Sequence, residues 1–154
     1  KQLKVNSRTV ERYIELLEKA FVIFRLKAFS RNLRKEINKK EKIYFFDLGI
    51  RNALINNFNT LELRNDVGAL WENFCICERK KYLQSQVARR LHYFWRTHNK
   101  KEIDLLEEYS GKLDGYEFKW KKTKVKPPSE FLETYSESSF TVISSENYRD
   151  FLLS

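Results

Sequence analysis

Glu102-Ile103-Asp104-Leu105-Leu106-Glu107-Glu108-Tyr109-Ser110-Gly111-Lys112-Leu113-Asp114-Gly115-Tyr116-Glu117-Phe118-Lys119-Trp120 reads as two strands, Glu102 to Tyr109 and Leu113 to Trp120, joined by a glycine-containing turn. Period-2 alternation places Glu117 and Lys119 on one face of the second strand and Tyr116, Phe118 and Trp120 on the other. In the first strand the same rule sets Glu102, Asp104 and Leu106 opposite Ile103 and Leu105. Pairing with Asp104 near Glu117 lets two carboxylates chelate one hard cation, with an ammonium alongside.

Leu91 to Arg96 forms a third β-like stretch, so an antiparallel meander is expected. Upstream, a helix is expected from Gly68 to about Leu83, with Val67, Trp71, Phe74 and Tyr82 as its apolar face. Glu72 lies about 100° round from Trp71 at 3.6 residues per turn and can border the core. Downstream, Pro127-Pro128 breaks the chain before a short helix, Ser129 to Glu137, an apolar β run, Phe140 to Ser144, and a last helix from Asn147. The resulting order is helix, three strands, helix, strand, helix.

The N-terminal part differs in charge. The net charge of +9 falls almost wholly on residues 1–46, which hold 13 Lys/Arg against 5 Asp/Glu. From Ser7 to Phe21, Val10, Tyr13, Ile14, Leu17, Ala20 and Phe21 recur at helical spacing, with Ser7 as the expected N-cap. A β-rich run, Phe21 to Phe29, a basic stretch, Ser30 to Lys42, and a second β run, Ile43 to Phe46, follow. Helix, strand, basic loop, strand is half a winged helix, and residues 6–14 resemble the turn and last helix of a helix-turn-helix domain. Arg34, Lys35, Lys39, Lys40 and Lys42 on a wing would neutralise phosphates. A solvated charged loop explains the same residues, and Glu11, Glu15 and Glu18 oppose deep insertion of the helix into a groove.

Composition excludes several classes. An apolar fraction of 42% with only four Gly and two Pro is that of a folded chain. No apolar run approaches the roughly 20 residues of a membrane span, so a cytoplasmic setting is expected. Cys75 and Cys77, two apart in a helix, point to different faces and make neither a disulfide nor a zinc site. The chain holds no Met and opens at Lys1, from which an upstream region is expected.

The chemistry suits Mg²⁺ or Mn²⁺: Asp104, Glu117, the Phe118 carbonyl and waters complete an oxygen shell. A metal-bound water near Lys119 would then hydrolyse a phosphodiester. A helix with Glu72, a strand with Asp104 and a strand with Glu117-x-Lys119, in this order, resemble the PD-(D/E)XK nuclease superfamily. Residues 42–54, 68–73 and 93–96, with Glu102-Ile103-Asp104 and Glu117-Phe118-Lys119, resemble one family in particular. It is the domain of unknown function that follows an AAA-type ATPase and a winged helix in many bacterial and archaeal proteins.

The resemblance implies a partial winged helix over residues 1–46. It implies a restriction-endonuclease-like domain over 47–154, of α+β or α/β class, with a mixed sheet flanked by helices. Asp104 and Glu117 become metal ligands, Lys119 the catalytic lysine and Glu72 the helical acid of a DNA endonuclease. ATP is expected only for the upstream ATPase, which would be a partner within the same polypeptide; a homo-oligomer is left open. The strand before Asp104 lacks the proline of the superfamily's name. Arg96 can contact a phosphate or stack on Trp95, and His92 and His98 read as structural. The rival reading is a non-enzymatic module that binds DNA, the ATPase or a partner protein. A Glu-x-Lys pair alone is usually an exposed cross-strand pair, and plugging of the acidic pocket by a basic side chain would favour this rival.

Overall fold

The computed structural model describes residues 6–31, 40–86 and 89–154. Its elements are α1 (Ser7–Lys19), β1 (Ile23–Ala28), β2 (Glu41–Phe45), α2 (Leu48–Leu54), α3 (Val67–Gln84), β3 (Leu91–Arg96), β4 (Glu102–Tyr109), β5 (Lys112–Phe118), α4 (Ser129–Thr134), β6 (Ser138–Ile143) and α5 (Tyr148–Leu153), with a 3₁₀ turn at Leu61–Leu63. The strands form one mixed α+β sheet in the order β2-β1-β3-β4-β5-β6. β3, β4 and β5 make the expected antiparallel meander, while β1 runs parallel to β3 and β6 parallel to β5. No helix among the described residues is long and apolar enough to cross a membrane.

Both faces of the sheet are covered. On one, Trp71, Cys75 and Ile76 of α3 and Phe151 of α5 pack with Phe94, Leu105 and Phe118. On the other, Phe131 of α4 and Tyr135 pack against Trp95, Ile103, Leu106 and Leu113. α3 buries more than the stripe expected for it: Leu70, Asn73, Cys77, Arg79 and Leu83 are also inside. Cys75 and Cys77 are free and buried.

Four expectations change. Strict alternation would set Leu105 with Ile103, but the register of β3 on β4 shifts between Tyr93/Leu106 and Trp95/Ile103. One extra residue at Asp104 and Leu105 makes a bulge, which resets the alternation. Leu106 therefore joins Ile103 on the α4 side, and Leu105 faces α3.

The helix expected to reach Phe21 stops at Lys19, and Phe21 takes a left-handed φ of 54°. Its N-cap is Asn6, not Ser7, because the Asn6 side chain accepts from the Arg8 amide at 3.0 Å. No residue of α1 is buried; instead Arg25 of β1 pairs with Glu11 and Glu18. The segment expected as a separate module ending at residue 46 shares the sheet, since Lys27 and Ala28 pair directly with Tyr93 and Phe94. Arg34, Lys35 and Lys39 lie outside the described residues.

A fully buried ion pair ties α3 to β4. Arg79 donates to both oxygens of Glu107, at 2.8 and 3.0 Å, and Arg90 donates to the same carboxylate at 2.6 Å. Burial alone would raise the Glu107 carboxyl, but His92, Arg79 and Arg90 hold it at about 2, below its ordinary 4.5. The fold favours the ionised form, so this stabilisation is complete above pH 4.5 and is lost as pH falls toward 2. Urea midpoints measured across that window should fall more steeply for the natural chain than for Glu107→Gln; parallel curves would show that Glu107 does not carry the effect.

Candidate functional site

Three acidic side chains, Glu72, Glu102 and Asp104, surround Lys42 where the N-terminal half of α3 crosses β2 and the start of β4, and Glu117 lies near enough to act on Asp104 electrostatically. Glu72 points from α3 to the sheet, where its Oε1 accepts from Tyr44 Oη at 2.6 Å and Lys42 Nζ at 3.0 Å. Asp104, at the β4 bulge, uses its two oxygens differently. Oδ2 accepts from the Phe118 amide at 3.1 Å and Oδ1 lies 3.4 Å from Lys42 Nζ. Glu102 Oε1 is 2.6 Å from the same ammonium, and its Oε2 is 3.3 Å from Arg96 Nη1. Glu117, at the end of β5, pairs with Lys119 Nζ at 2.7 Å.

The order of these residues was legible in the sequence; the occupant of the cluster was not. Lys42, expected on a phosphate-facing wing, turns inward and places one ammonium among Glu72, Glu102 and Asp104. The physical cause is the β1–β2 pairing, which sets Lys42 opposite Leu26 and beside the helix carrying Glu72. Its stem crosses the Phe94 ring, with Nζ 5.5 Å from the centroid. Burial by itself would lower the Lys42 pKa, but Glu72, Asp104 and Glu102 raise it well above the ordinary lysine value. Arg96, the other expected phosphate contact, is engaged with Glu102; Lys40 is exposed just before β2. Glu102 and Tyr44 were missed as site residues, although the position of Glu102, two before Asp104 in a strand, was a usable signal.

The electrostatics are those of a crowded anionic pocket. Asp104 is pushed up to about 6, first by burial and then by Glu72 and Glu117, against the pull of Lys42 and the Phe118 amide. Burial lowers and Glu117 raises the Lys119 ammonium, with a net upward shift. Tyr44 is raised by burial and by Glu72, so its phenol stays protonated and donates to that carboxylate. Phe118 meets the cluster through its amide. As folded, no three His, Cys, Asp or Glu side chains among the described residues are grouped closely enough to hold a metal ion. The pocket instead holds a cationic nitrogen.

Two family models match the chain: one described as "Domain of unknown function (DUF8612)" over residues 1–61, and one described as "Domain of unknown function (DUF4143)" over residues 67–150. The second is found in C-terminal regions associated with AAA-type ATPases. An uncharacterized protein of Mycobacterium bovis and one of Mycobacterium tuberculosis are each 32% identical over 121 residues, or 77% of this chain. The chain spans 26% of the length of these relatives. No solved structure matches. The DUF4143 match covers more than half of the chain and includes Glu72, Asp104, Glu117 and Lys119, so this protein belongs to the DUF4143 family.

Proposed function

We propose that this chain is a PD-(D/E)XK-like nuclease domain that hydrolyses DNA phosphodiesters with Mg²⁺ or Mn²⁺, joined to an AAA-type ATPase through a winged helix. One observation carries the reading: Glu72 from a helix and Asp104 from a bulged strand converge on a cluster that already accommodates a cation, the Lys42 ammonium. Glu117 and Lys119 stand at the end of the strand whose Phe118 amide holds Asp104.

The donors fit the ion in kind, since carboxylate oxygens are what a hard divalent cation takes. Asp104, Glu117 and the Phe118 carbonyl would hold it. When bound, the ion supplies a more acidic water and charge stabilisation at the phosphate. The chain's own groups do the rest. The Phe118 amide orients Asp104, Tyr44 holds Glu72 in place, and the part-exposed Lys119 presents positive charge to a phosphate oxygen. For this, Lys42 must withdraw and Glu117 must turn from Lys119.

A second reading rests on Lys42 itself. An ammonium satisfied by three carboxylates suits a non-catalytic module in which the cluster serves the fold, while the domain binds DNA, the ATPase or a partner protein. Replacing Lys42 with Met separates the two. On the nuclease reading, Lys42→Met should lower thermal stability without metal, regain it with Mn²⁺, and bind Mn²⁺ at least about tenfold more tightly, near 1.4 kcal/mol. Calorimetry and melting curves read both effects. A variant that is destabilised but not rescued by any divalent ion would leave the non-catalytic reading standing.

A further inference from the structure

We infer that a basic cleft beyond the C-terminal half of α3, lined by Lys80, Gln84, Gln86, Arg89, Arg90 and His92, binds a phosphodiester phosphate of a DNA strand. The inference rests on the nuclease reading for its ligand, and on the cleft alone for its chemistry. The cavity is about 450 Å³. Among the described residues, Leu83 is its one apolar lining residue and no carboxylate lines it.

The carboxylate nearest beneath it, Glu107, is fully buried and already engaged by Arg79 and Arg90. Two guanidiniums on one carboxylate leave an excess positive charge, to which Lys80 and Arg89 add. His92 sits over the same carboxylate with Nε2 3.7 Å from Glu107 Oε1, close enough to help hold Glu107 ionised but longer than a hydrogen bond. Nε2 is buried with no hydrogen-bond partner.

Lys80 is the most telling group. Its ammonium lies 5.3 Å from the Phe24 ring centroid and, among the described residues, in no salt bridge. Burial lowers its pKa, and the Glu18 carboxylate, which forms no salt bridge with it, offsets this only in part. An anion entering the cleft would supply the remaining compensation. The C-terminal carbonyls of α3 oppose an anion with roughly half a charge, which the surplus of cations outweighs.

Position favours a nucleic-acid strand as the source of the phosphate. Glu72 and Lys80 lie on one helix, eight residues apart, and at 1.5 Å rise per residue this separates them by about 12 Å. That is about the rise of three to four nucleotides of B-DNA at 3.4 Å each. Both side chains turn toward the β1–β2 end of the sheet, Glu72 to Tyr44 and Lys80 to Phe24. A strand reaching the acidic cluster can therefore lay a phosphate a few nucleotides away in the cleft.

The test is fluorescence anisotropy with a labelled 20-base-pair duplex across a salt series. It compares the natural chain, Lys80→Ala with Arg89→Ala, and a control that removes equal charge elsewhere, Lys112→Ala with Lys126→Ala. The cleft variant should bind at least about tenfold more weakly at low salt, with a slope of log affinity on log salt smaller by about two, near 0.9 per lost phosphate contact. The control should lose far less. If the cleft double variant fails to fold, Arg89→Gln alone, at an exposed position, should lower the slope by about one. Equal loss in cleft and control variants, or no loss in the cleft variant, overturns the inference. So does binding of inorganic pyrophosphate without binding of duplex. Cleft-dependent binding without cleavage would instead count against the nuclease reading alone, and cleavage with unchanged binding in the cleft variant against the cleft alone.

Discussion

Arg79→Ala is expected to destabilise the domain by about 3–5 kcal/mol, the range for breaking a buried ion pair from one side. Arg79 is fully buried and its guanidinium is engaged at all three nitrogens: Nε and Nη2 serve Glu107, while Nη1 donates to the Phe151 and Ser154 carbonyls at 2.7 and 2.6 Å. Its plane also lies over the Phe151 ring, 5.0 Å from the centroid. One side chain thus joins α3, β4 and the end of α5. Truncation strands a buried carboxylate with Arg90 as its remaining close donor and leaves two carbonyls without this donor. Arg79→Lys should lose nearly as much, because an ammonium cannot reproduce the two-pronged contact. Replacing both partners, Arg79→Met with Glu107→Leu, should cost less than the two single changes added together, since no fully buried charge is then left alone and Arg90, which loses its carboxylate, is part-exposed. Urea unfolding of the natural chain, Arg79→Ala, Arg79→Lys, the two singles Arg79→Met and Glu107→Leu, and their double measures this; a loss below about 1 kcal/mol for Arg79→Ala would mean that the pair contributes no more than a surface contact.

Asp104→Asn is expected to remove divalent binding and DNA cleavage together, by at least about 100-fold, beyond what loss of an outer-shell partner costs. Asp104 is the acid that the bulge and the Phe118 amide place deepest, and its anionic charge is what a divalent ion would relieve. Lys119→Ala should behave differently. Lys119 is exposed enough to reach a phosphate, so its loss should spare metal affinity and lower the rate on the order of 10²–10³-fold, as removal of a transition-state donor does. Ca²⁺ should bind without supporting turnover, because its looser shell positions water poorly. Calorimetry with Mn²⁺ beside a supercoiled-DNA cleavage assay, run on full-length protein as well, separates the effects. Cleavage that survives Asp104→Asn would sink the assignment of the metal site.

The strands of the meander show where local reading succeeds. β3 and β4 occupy Leu91–Arg96 and Glu102–Tyr109, the spans that alternation and the turn residues predict. α4 is shorter than predicted, ending at Thr134 rather than Glu137. α1 shows the opposite case: its apolar spacing predicts a helix, and a helix forms, but its apolar residues Val10, Tyr13, Leu16 and Leu17 remain exposed. Periodicity specifies a face and cannot say what covers it.

The sequence by itself determined the order in which the candidate residues fall: Glu72 on a helix, Asp104 on one strand, and Glu117 with Lys119 at the end of the next. These follow from the 3.6- and 2-residue periods, which are local properties of the backbone. Only the tertiary structure decided that the basic stretch sends Lys42 into the acidic cluster and that a bulge turns Leu105 toward α3 while Leu106 joins Ile103. Lys42 meets Glu72 across 30 residues and Asp104 across 62. Such contacts are set by strand pairing, where a single-residue shift reverses a side chain's face, and not by any pattern within the segments that meet.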